Sequence, residues 1–399
     1  MSKRNFGKNF RGAAKSNLDK MLLYIVVFLV IFGLLMIFES SSSYAESTFG
    51  NKYKFLFQQS VWVVMGLVGM WYVYKMDLNK LKRWSKPLML ISFGFLFILA
   101  IQSLLSQIFK VPVQTPFTRM TYGAFRWVVL NPEPFPAIPL LGRISFQPTD
   151  IAKLAFILYA GFFLEKVVPR DNRKVLGFLI IVLSTVGLVA LEPDFGTAAI
   201  FMAIAVSLYF VSDLPLLFLV LGLPLITFFG GLISLSSAYR RQRILTFLNP
   251  QGTDLLNEGY HISQILIAVG SGGFFGLGFG ESRQKYAYIP EVVSDSIFAV
   301  IAEEFGFIGS VFLGLVFLAL IWRGFLIAKS QKDPFKKFVA VGISCWVGAQ
   351  AFINLFAMVH LIPLTGIPLP FISYGGSSMI VSLIGMGILL NISKSSSKY

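Results

Sequence analysis

Apolar residues run through this chain in long blocks, separated by short segments where the charge is concentrated. Each block approaches about twenty residues, the length a helix needs to cross roughly 30 Å of hydrocarbon. The pattern predicts ten membrane-spanning helices, near 21–38, 58–75, 87–108, 150–165, 174–191, 196–212, 213–235, 296–322, 338–359 and 376–392. Only Ser212, Asp213 and Pro215 divide the sixth from the seventh. The period-two alternation of a membrane barrel is absent, so the expected class is an all-α polytopic bundle. The expected organisation is a basic tail over 1–20, one transmembrane domain over 21–392 and a short tail over 393–399. The basic start resembles a signal peptide, but no small-residue cleavage site follows it, so a retained first helix is expected.

Composition agrees with this picture. Hydrophobic residues fill 56% of 399 positions and charged residues only 13%, about half the charge that a water-facing domain carries. The single cysteine, Cys345, lies in an apolar run and has no intrachain partner. His261 and His360 are far apart and offer no metal-ligand spacing.

A net charge of +15 could suggest nucleic acid, yet its distribution points to membrane orientation instead. Lys3, Arg4, Lys8, Arg11, Lys15 and Lys20 precede the first span. Lys75, Lys80, Lys82, Arg83 and Lys86 follow the second, and Lys166, Arg170, Arg173 and Lys174 follow the fourth. Arg323, Lys329, Lys332, Lys336 and Lys337 follow the eighth. All fall on one side, which by the positive-inside rule is cytoplasmic and holds both termini. Two long loops, 109–149 and 236–295, then face outward, and loops of that length usually carry function.

Polar residues close to membrane depth are the informative ones, because burying them without partners is expensive. Phe146-Gln147-Pro148-Thr149-Asp150-Ile151-Ala152-Lys153 opens the fourth span. Asp150 and Lys153 share one helix face, either as a capping and snorkelling set or as a charged cavity wall with Lys153 free to meet another helix's acid. Glu192-Pro193-Asp194-Phe195-Gly196-Thr197 reads as a tight external turn whose acids could also hold a cation or an arginine. The second long loop opens with Tyr239-Arg240-Arg241-Gln242-Arg243, and arginine forks suit phosphate or carboxylate oxygens. A glycine-rich run, Gly270 to Gly280, permits close backbone approach; with no strand before it, it is weak support for a nucleotide site. Lys285 and Glu291 follow.

Asp295 opens the next apolar helix, where it either caps that helix or serves as a general base at the mouth of a cavity. Glu303 lies about 12 Å further along, so a structural ion pair is expected of Glu303 and Glu304. The run Pro363 to Ser378 breaks helix with prolines and then supplies glycines and hydroxyls. Such irregular backbone survives at membrane depth only when buried in protein or lining a cavity.

Taken together and in order, these clusters resemble the SEDS (shape, elongation, division, sporulation) family of peptidoglycan glycosyltransferases. The resemblance includes Gly123, Arg126-Trp127, Phe146 to Lys153, Pro193 to Thr197, Arg240, Arg243, Tyr260, Gln264, Gly272 to Gly280, Lys285, Pro290-Glu291, Asp295, Glu303-Glu304, Asn354 and Pro363 to Ser378. It implies polymerisation of lipid II on the outer membrane face, with Asp295 as the essential acid. It also implies inversion at the donor sugar and release of undecaprenyl diphosphate. Arg240, Arg243 and Lys153 become candidates for stabilising diphosphate charge or tuning Asp295, and Lys285, Glu291, Arg126 and Ser377 for binding substrate or tuning charge; Asp150, Asp194, Glu303 and Glu304 become structural polar residues. A divalent cation, Mg or Mn, is compatible with this chemistry, and no organic cofactor is implied. The implied partners are lipid II, membrane lipids, a class B penicillin-binding transpeptidase and other division proteins, with no nucleic acid.

The chain departs from the family at Thr149-Asp150, where Ser-Glu is common, and at Phe125, where a second basic residue often stands. Its segment 131–145 looks longer than usual. Phe38 to Ser43 and Tyr44 to Gln59 resemble the division members more than the elongation members. Two other functions compete: a lipid II flippase, which would need polar clusters open to both faces in turn, and a scaffold, which would leave Asp295 without a task.

Overall fold

The structure is a computed structural model, and it describes residues 18–111, 113–121, 124–138, 141–166, 172–218, 220–222, 224, 238–248, 258–286, 289 and 291–395. Its helices are α1 (Lys20–Phe49), α2 (Lys54–Lys75), α3 (Leu78–Phe109), α4 (Pro148–Leu164), α5 (Asn172–Leu191) and α6 (Phe195–Val211). They continue with α7 (Ala238–Leu248), α8 (Glu258–Ser271), α9 (Ile297–Lys329), α10 (Pro334–Met358) and α11 (Gly376–Ser393). Nine of the ten expected spans coincide with described helices. The remaining one, the seventh at 213–235, lies largely outside the described residues, as do Gly123, Pro290 and most of the N-terminal tail. Among the described residues, seven helices are long and apolar enough to cross a membrane: α1, α2, α3, α5, α9, α10 and α11. The protein is a multi-pass membrane protein.

Several boundaries differ from the expected ones, for local reasons. Helix α1 runs eleven residues past 38 because the serines of the Ser40–Ser43 run do not stop it. Ser40 Oγ donates to the Met36 carbonyl at 2.7 Å, back-bonding that keeps a hydroxyl inside a helix. Helix α3 begins at Leu78, where Asp77 accepts the Asn79 N–H at 3.0 Å as N-cap. The loop 109–149 is not plain coil. It holds a three-stranded antiparallel sheet, β1 (Thr118–Thr121), β2 (Ala124–Val129) and β3 (Ser145–Phe146), which the all-α expectation left out. Strands this short, one of them two residues long, offer too few alternations to be read from sequence. Loop 236–295 likewise contains α7 and α8.

Pairings across the bundle separate its two ends. At one end Asp19 meets Arg323 at 2.6 Å, Lys82 meets Glu165 at 2.5 Å, and Asn391 donates to the Val73 and Met76 carbonyls. This end carries the clustered lysines and arginines. The sheet, the 192–197 turn, Asp295 and the 363–378 segment gather at the other.

Helices α10 and α11 are the most enclosed spans, whereas α9 and α5 leave most of their apolar surface outside. In lipid the gain comes from close packing rather than from leaving water, so small residues mark the contacts. A Cβ on Gly387 of α11 would come 2.5 Å from the Met70 carbonyl of α2, so that contact requires glycine. Helix α10 packs against α9, α6 and α4, beneath the start of α4 and the turn before α9.

Candidate active site

Four segments that are distant in sequence meet around one outward-facing cavity of about 480 Å³. They are the start of α4, the turn between α5 and α6, the turn leading into α9, and the irregular segment before α11. The sheet closes the mouth with Arg119, Arg126, Trp127 and Ser145. Of the residues singled out from the sequence, Asp295, Lys153, Arg126, Glu291, Ser377, Asp150 and Asp194 all line this cavity.

The α4 wall is an ion pair that solvent hardly reaches. Lys153 Nζ lies 2.9 Å from Asp150 Oδ1, and each residue is only 3% exposed. Asp150 Oδ2 accepts the Ser377 hydroxyl at 2.7 Å. Lys153 also donates to Gln350 Oε1 at 3.0 Å and lies over the Trp346 ring, 5.3 Å from its centroid. The lysine therefore neither snorkels nor meets an acid from another helix, because its own helix supplies the counter-charge. A buried pair survives only when further hydrogen bonds satisfy its remaining atoms, and Ser377 and Gln350 do so here.

In the neighbouring turn, Asp194 caps α6 through the Thr197 N–H at 3.1 Å and the Thr197 hydroxyl at 2.9 Å. Gln147 donates to its second oxygen at 3.3 Å. Arg126 reaches across from β2 and donates to the carbonyls of Pro193 and Glu192. The arginine thus grips backbone rather than carboxylate. Glu192 is fully buried, and none of the described residues donates to its carboxyl. Burial, helped by the charge of Asp194 and opposed by Arg126, holds it well above the usual carboxylate range.

Asp295 occupies the turn before α9. Its backbone carbonyl accepts from Asn354 Nδ2 at 2.8 Å, while no described residue hydrogen-bonds to its carboxylate, which faces the cavity. Burial raises this carboxyl to about 7; the charge of Glu291 adds to the effect and Arg243 opposes it. Asp194 and Arg126 contribute lesser raising and lowering influences. Arg243 itself donates to the Leu364 carbonyl at 3.3 Å. The Arg240 side chain lies outside the described residues. His261 of α8 shares a 2.8 Å hydrogen bond with Ser296. Burial, with the charge of Arg243, pushes this imidazole down to about 4, Glu291 opposing, so the ring is neutral at ordinary pH.

Lys285, Glu303 and Glu304 are not brought to the cavity. They build a second cluster behind the glycine-rich run. Lys285 pairs with Glu39 of α1 and lies 3.6 Å from Glu304. Glu303 accepts the Ser282 hydroxyl at 2.5 Å, the Ser271 hydroxyl at 3.3 Å and the N–H groups of Arg283 and Gln284. Here α9 breaks at Gly306, whose φ is 65°. The run 272–278 fills the break: Leu277 and Gly278 donate to the carbonyls of Glu303 and Glu304, and Phe307 donates to Gly273. A Cβ on Gly276 would fall on the Glu304 carbonyl oxygen, so this run is glycine-rich for backbone-to-backbone contact.

No three of His, Cys, Asp and Glu gather among the described residues as a metal-ligand set. Asp150 and Asp194 already satisfy Lys153, Ser377, Thr197 and Gln147. The described residues alone therefore do not build an all-protein cage for Mg or Mn.

The family model for the FtsW/RodA/SpoVE cell cycle proteins matches residues 19–398. The chain belongs to this family. Stage V sporulation protein E of Bacillus subtilis is 36% identical over 384 residues, covering 95% of this chain and 98% of the relative. A probable peptidoglycan glycosyltransferase FtsW of Geobacter sp. strain M18 is 35% identical, covering 94% and 96%. Among solved structures, a chain from a peptidoglycan synthase complex that coordinates polymerisation and crosslinking superposes with a TM-score of 0.74 at 26% identity, covering 94% of this chain and 97% of that one. Rod shape determining protein RodA of Thermus thermophilus superposes with a TM-score of 0.66 at 25% identity, covering 96% and 98%.

Within this FtsW/RodA/SpoVE chain, sequence reading passed over Trp62 and Arg119, which line the cavity, and Gln350 and Trp346, which hold Lys153 from behind it; His261 was weighed only as a metal ligand. Gln350 and Trp346 sit in an apolar run. The signal that could have found them is an amide recurring one turn before Asn354, on the same helix face.

Proposed function

We propose that this protein is a peptidoglycan glycosyltransferase that polymerises lipid II at the outer face of a bacterial cytoplasmic membrane. The observation that carries the chemistry is Asp295, whose carboxylate is open to a cavity at the end of the bundle opposite the basic residues and is raised to about 7. A base poised near neutral pH both accepts a proton and remains ionised often enough to act.

In the proposed reaction a sugar hydroxyl of the acceptor attacks the anomeric carbon of the donor. The new glycosidic C–O bond forms as the bond from that carbon to the lipid diphosphate breaks. The hydroxyl proton passes to Asp295, and the electron pair leaves with the diphosphate. An α-linked diphosphate giving a β-linkage requires one inversion, so a single base suffices without a covalent sugar intermediate. Lys153, held by Asp150 and Gln350, and Arg126 line the same cavity, and Arg243 lies near enough to Asp295 to oppose its upward shift; these cations offer positive charge toward the departing diphosphate.

Division, rather than elongation, is the proposed setting, in keeping with the FtsW relatives and the sporulation protein found by sequence. A class B penicillin-binding transpeptidase and other division proteins are the proposed partners, in keeping with the likeness to a synthase complex. The purified chain, reconstituted with its transpeptidase and fluorescent lipid II, is expected to yield glycan ladders on gels. A flippase would instead expose labelled lipid II on the opposite leaflet without forming polymer. A scaffold would do neither.

A further inference from the structure

Gln350 and Asn354 lie one turn apart on α10, both almost wholly buried, and both point at the floor of the cavity. Asn354 uses one nitrogen for two bonds: Nδ2 donates to the Asp295 carbonyl and to the Ile367 carbonyl, each at 2.8 Å. Gln350 Nε2 donates to the adjoining carbonyl, Pro368, at 3.0 Å. Gln350 Oε1 accepts from Lys153 Nζ at 3.0 Å and Trp346 Nε1 at 2.9 Å. Gly366, next in line, has φ +69°, and a Cβ there would stand 3.3 Å from Asp295 Oδ2.

We propose that these two amides form a clamp that holds residues 366–368 as a rigid back-plate against Asp295 and fixes Lys153 beside it. Gln350 and Asn354 are thereby positioning residues for the transfer. The inference rests on the reading of Asp295 as the base and adds to it what fixes that base in place.

Three features support the clamp over simple core filling. The segment 363–375 has no helix of its own, so its carbonyls need donors from a neighbour, and α10 supplies bonds to residues 367 and 368 and a third to residue 295. The Gln350 amide accepts from a lysine and an indole while donating to a carbonyl, a combination that neither an apolar side chain nor a carboxylate can make. Asn354 Oδ1 has no described partner although it is buried. A side chain chosen for packing would not leave that acceptor stranded, so the asparagine is explained by its donor side, which faces Asp295.

The test is steady-state polymerisation of lipid II by the reconstituted complex carrying Asn354→Leu, and separately Gln350→Glu. The second keeps the acceptor bonds from Lys153 and Trp346, but its carboxylate cannot donate to Pro368 and adds a negative charge beside Lys153, so Gly366→Ala, which changes no charge, is its control. A clamp predicts kcat reduced about 10- to 100-fold, the size expected of a misplaced catalytic group, with KM within about twofold. It also predicts that the rising limb of the pH–rate profile moves to lower pH, because a loosened turn admits water to Asp295. Gly366→Ala, which removes no side-chain hydrogen bond, should give the same signature. Wild-type kcat per folded molecule, or reduced kcat with an unmoved limb, overturns the clamp. Asp295→Asn is run alongside: polymer from it overturns the base assignment, whatever the clamp variants do.

Discussion

Two clusters of buried charge lie near each other at the outer end of this bundle, and they are built in opposite ways. Around Glu303 the carboxylate is saturated by two hydroxyls and two backbone N–H groups, with Lys285 beside Glu304 and Glu39. That cluster holds a glycine-rich run in the break of α9. Around Asp295 the carboxylate accepts nothing from the described residues and opens onto a cavity of about 480 Å³, although its neighbours Asp150, Asp194 and Lys153 are fully engaged. Saturation fixes structure, and an open carboxylate among fixed neighbours is what a proton transfer requires. The contrast teaches that acid-and-lysine composition alone does not separate the two roles: buried Glu304 also lacks a described hydrogen-bond donor, and what marks Asp295 is that its unpartnered carboxylate opens onto a cavity.

The comparison can be broken at either cluster. The largest effect is expected from Asp295→Ala, which should reduce polymerisation by about 10²- to 10⁴-fold, the range for loss of a general base. Its folding should remain intact, as judged by gel filtration and thermal unfolding. Lys285→Met should invert that pattern, leaving two acids buried without their cation and destabilising the fold by roughly 3–5 kcal/mol. Turnover per folded molecule would stay within severalfold. Inactivity of the well-folded Lys285 variant would erase the distinction between the clusters.

Smaller effects sharpen it. Ser282→Ala removes one donor to Glu303 and should cost about 1–3 kcal/mol, measured as a lowered unfolding midpoint with unchanged kcat. The pH dependence of stability carries a sign. Asp295 is raised from 3.8 to about 7, so between those values the folded state holds a proton that the unfolded state has lost. Stability from this group is therefore lost as pH rises from about 4 to 7. Asp295→Asn should unfold at a higher temperature than the wild type at pH 8, and the gap should close toward pH 4. A gap that widens in acid would mean the carboxyl is held low, not high.

Much of the fold was legible because transmembrane helices are defined by length and composition, and lysine placement orients them. The spans of α5, α6, α10 and α11 were read within a few residues at the ends facing the cavity. The sheet was not legible, since Ser145-Phe146 is too short to show a period. The serine run of α1 concealed its last turns, because serine's helix-compatible back-bonding cannot be told from a turn by composition. At the site, Asp150, Lys153, Asp194 and Asp295 stood out as charges near apolar runs. Lys285 stood out for the same reason but lies in the other cluster, because charge in a sequence does not reveal what it faces. Gln350 was hidden as a neutral residue in an apolar helix, and its role appears only once Lys153 and Pro368 are seen to converge on it.

The most direct test is glycan-strand formation from lipid II by three reconstituted complexes side by side: wild type, Asp295→Ala and Lys285→Met, each normalised to folded protein. Long glycan is expected from the wild type and the Lys285 variant and none from the Asp295 variant. Glycan of wild-type yield from Asp295→Ala would contradict it, and the base would have to be sought elsewhere in the cavity.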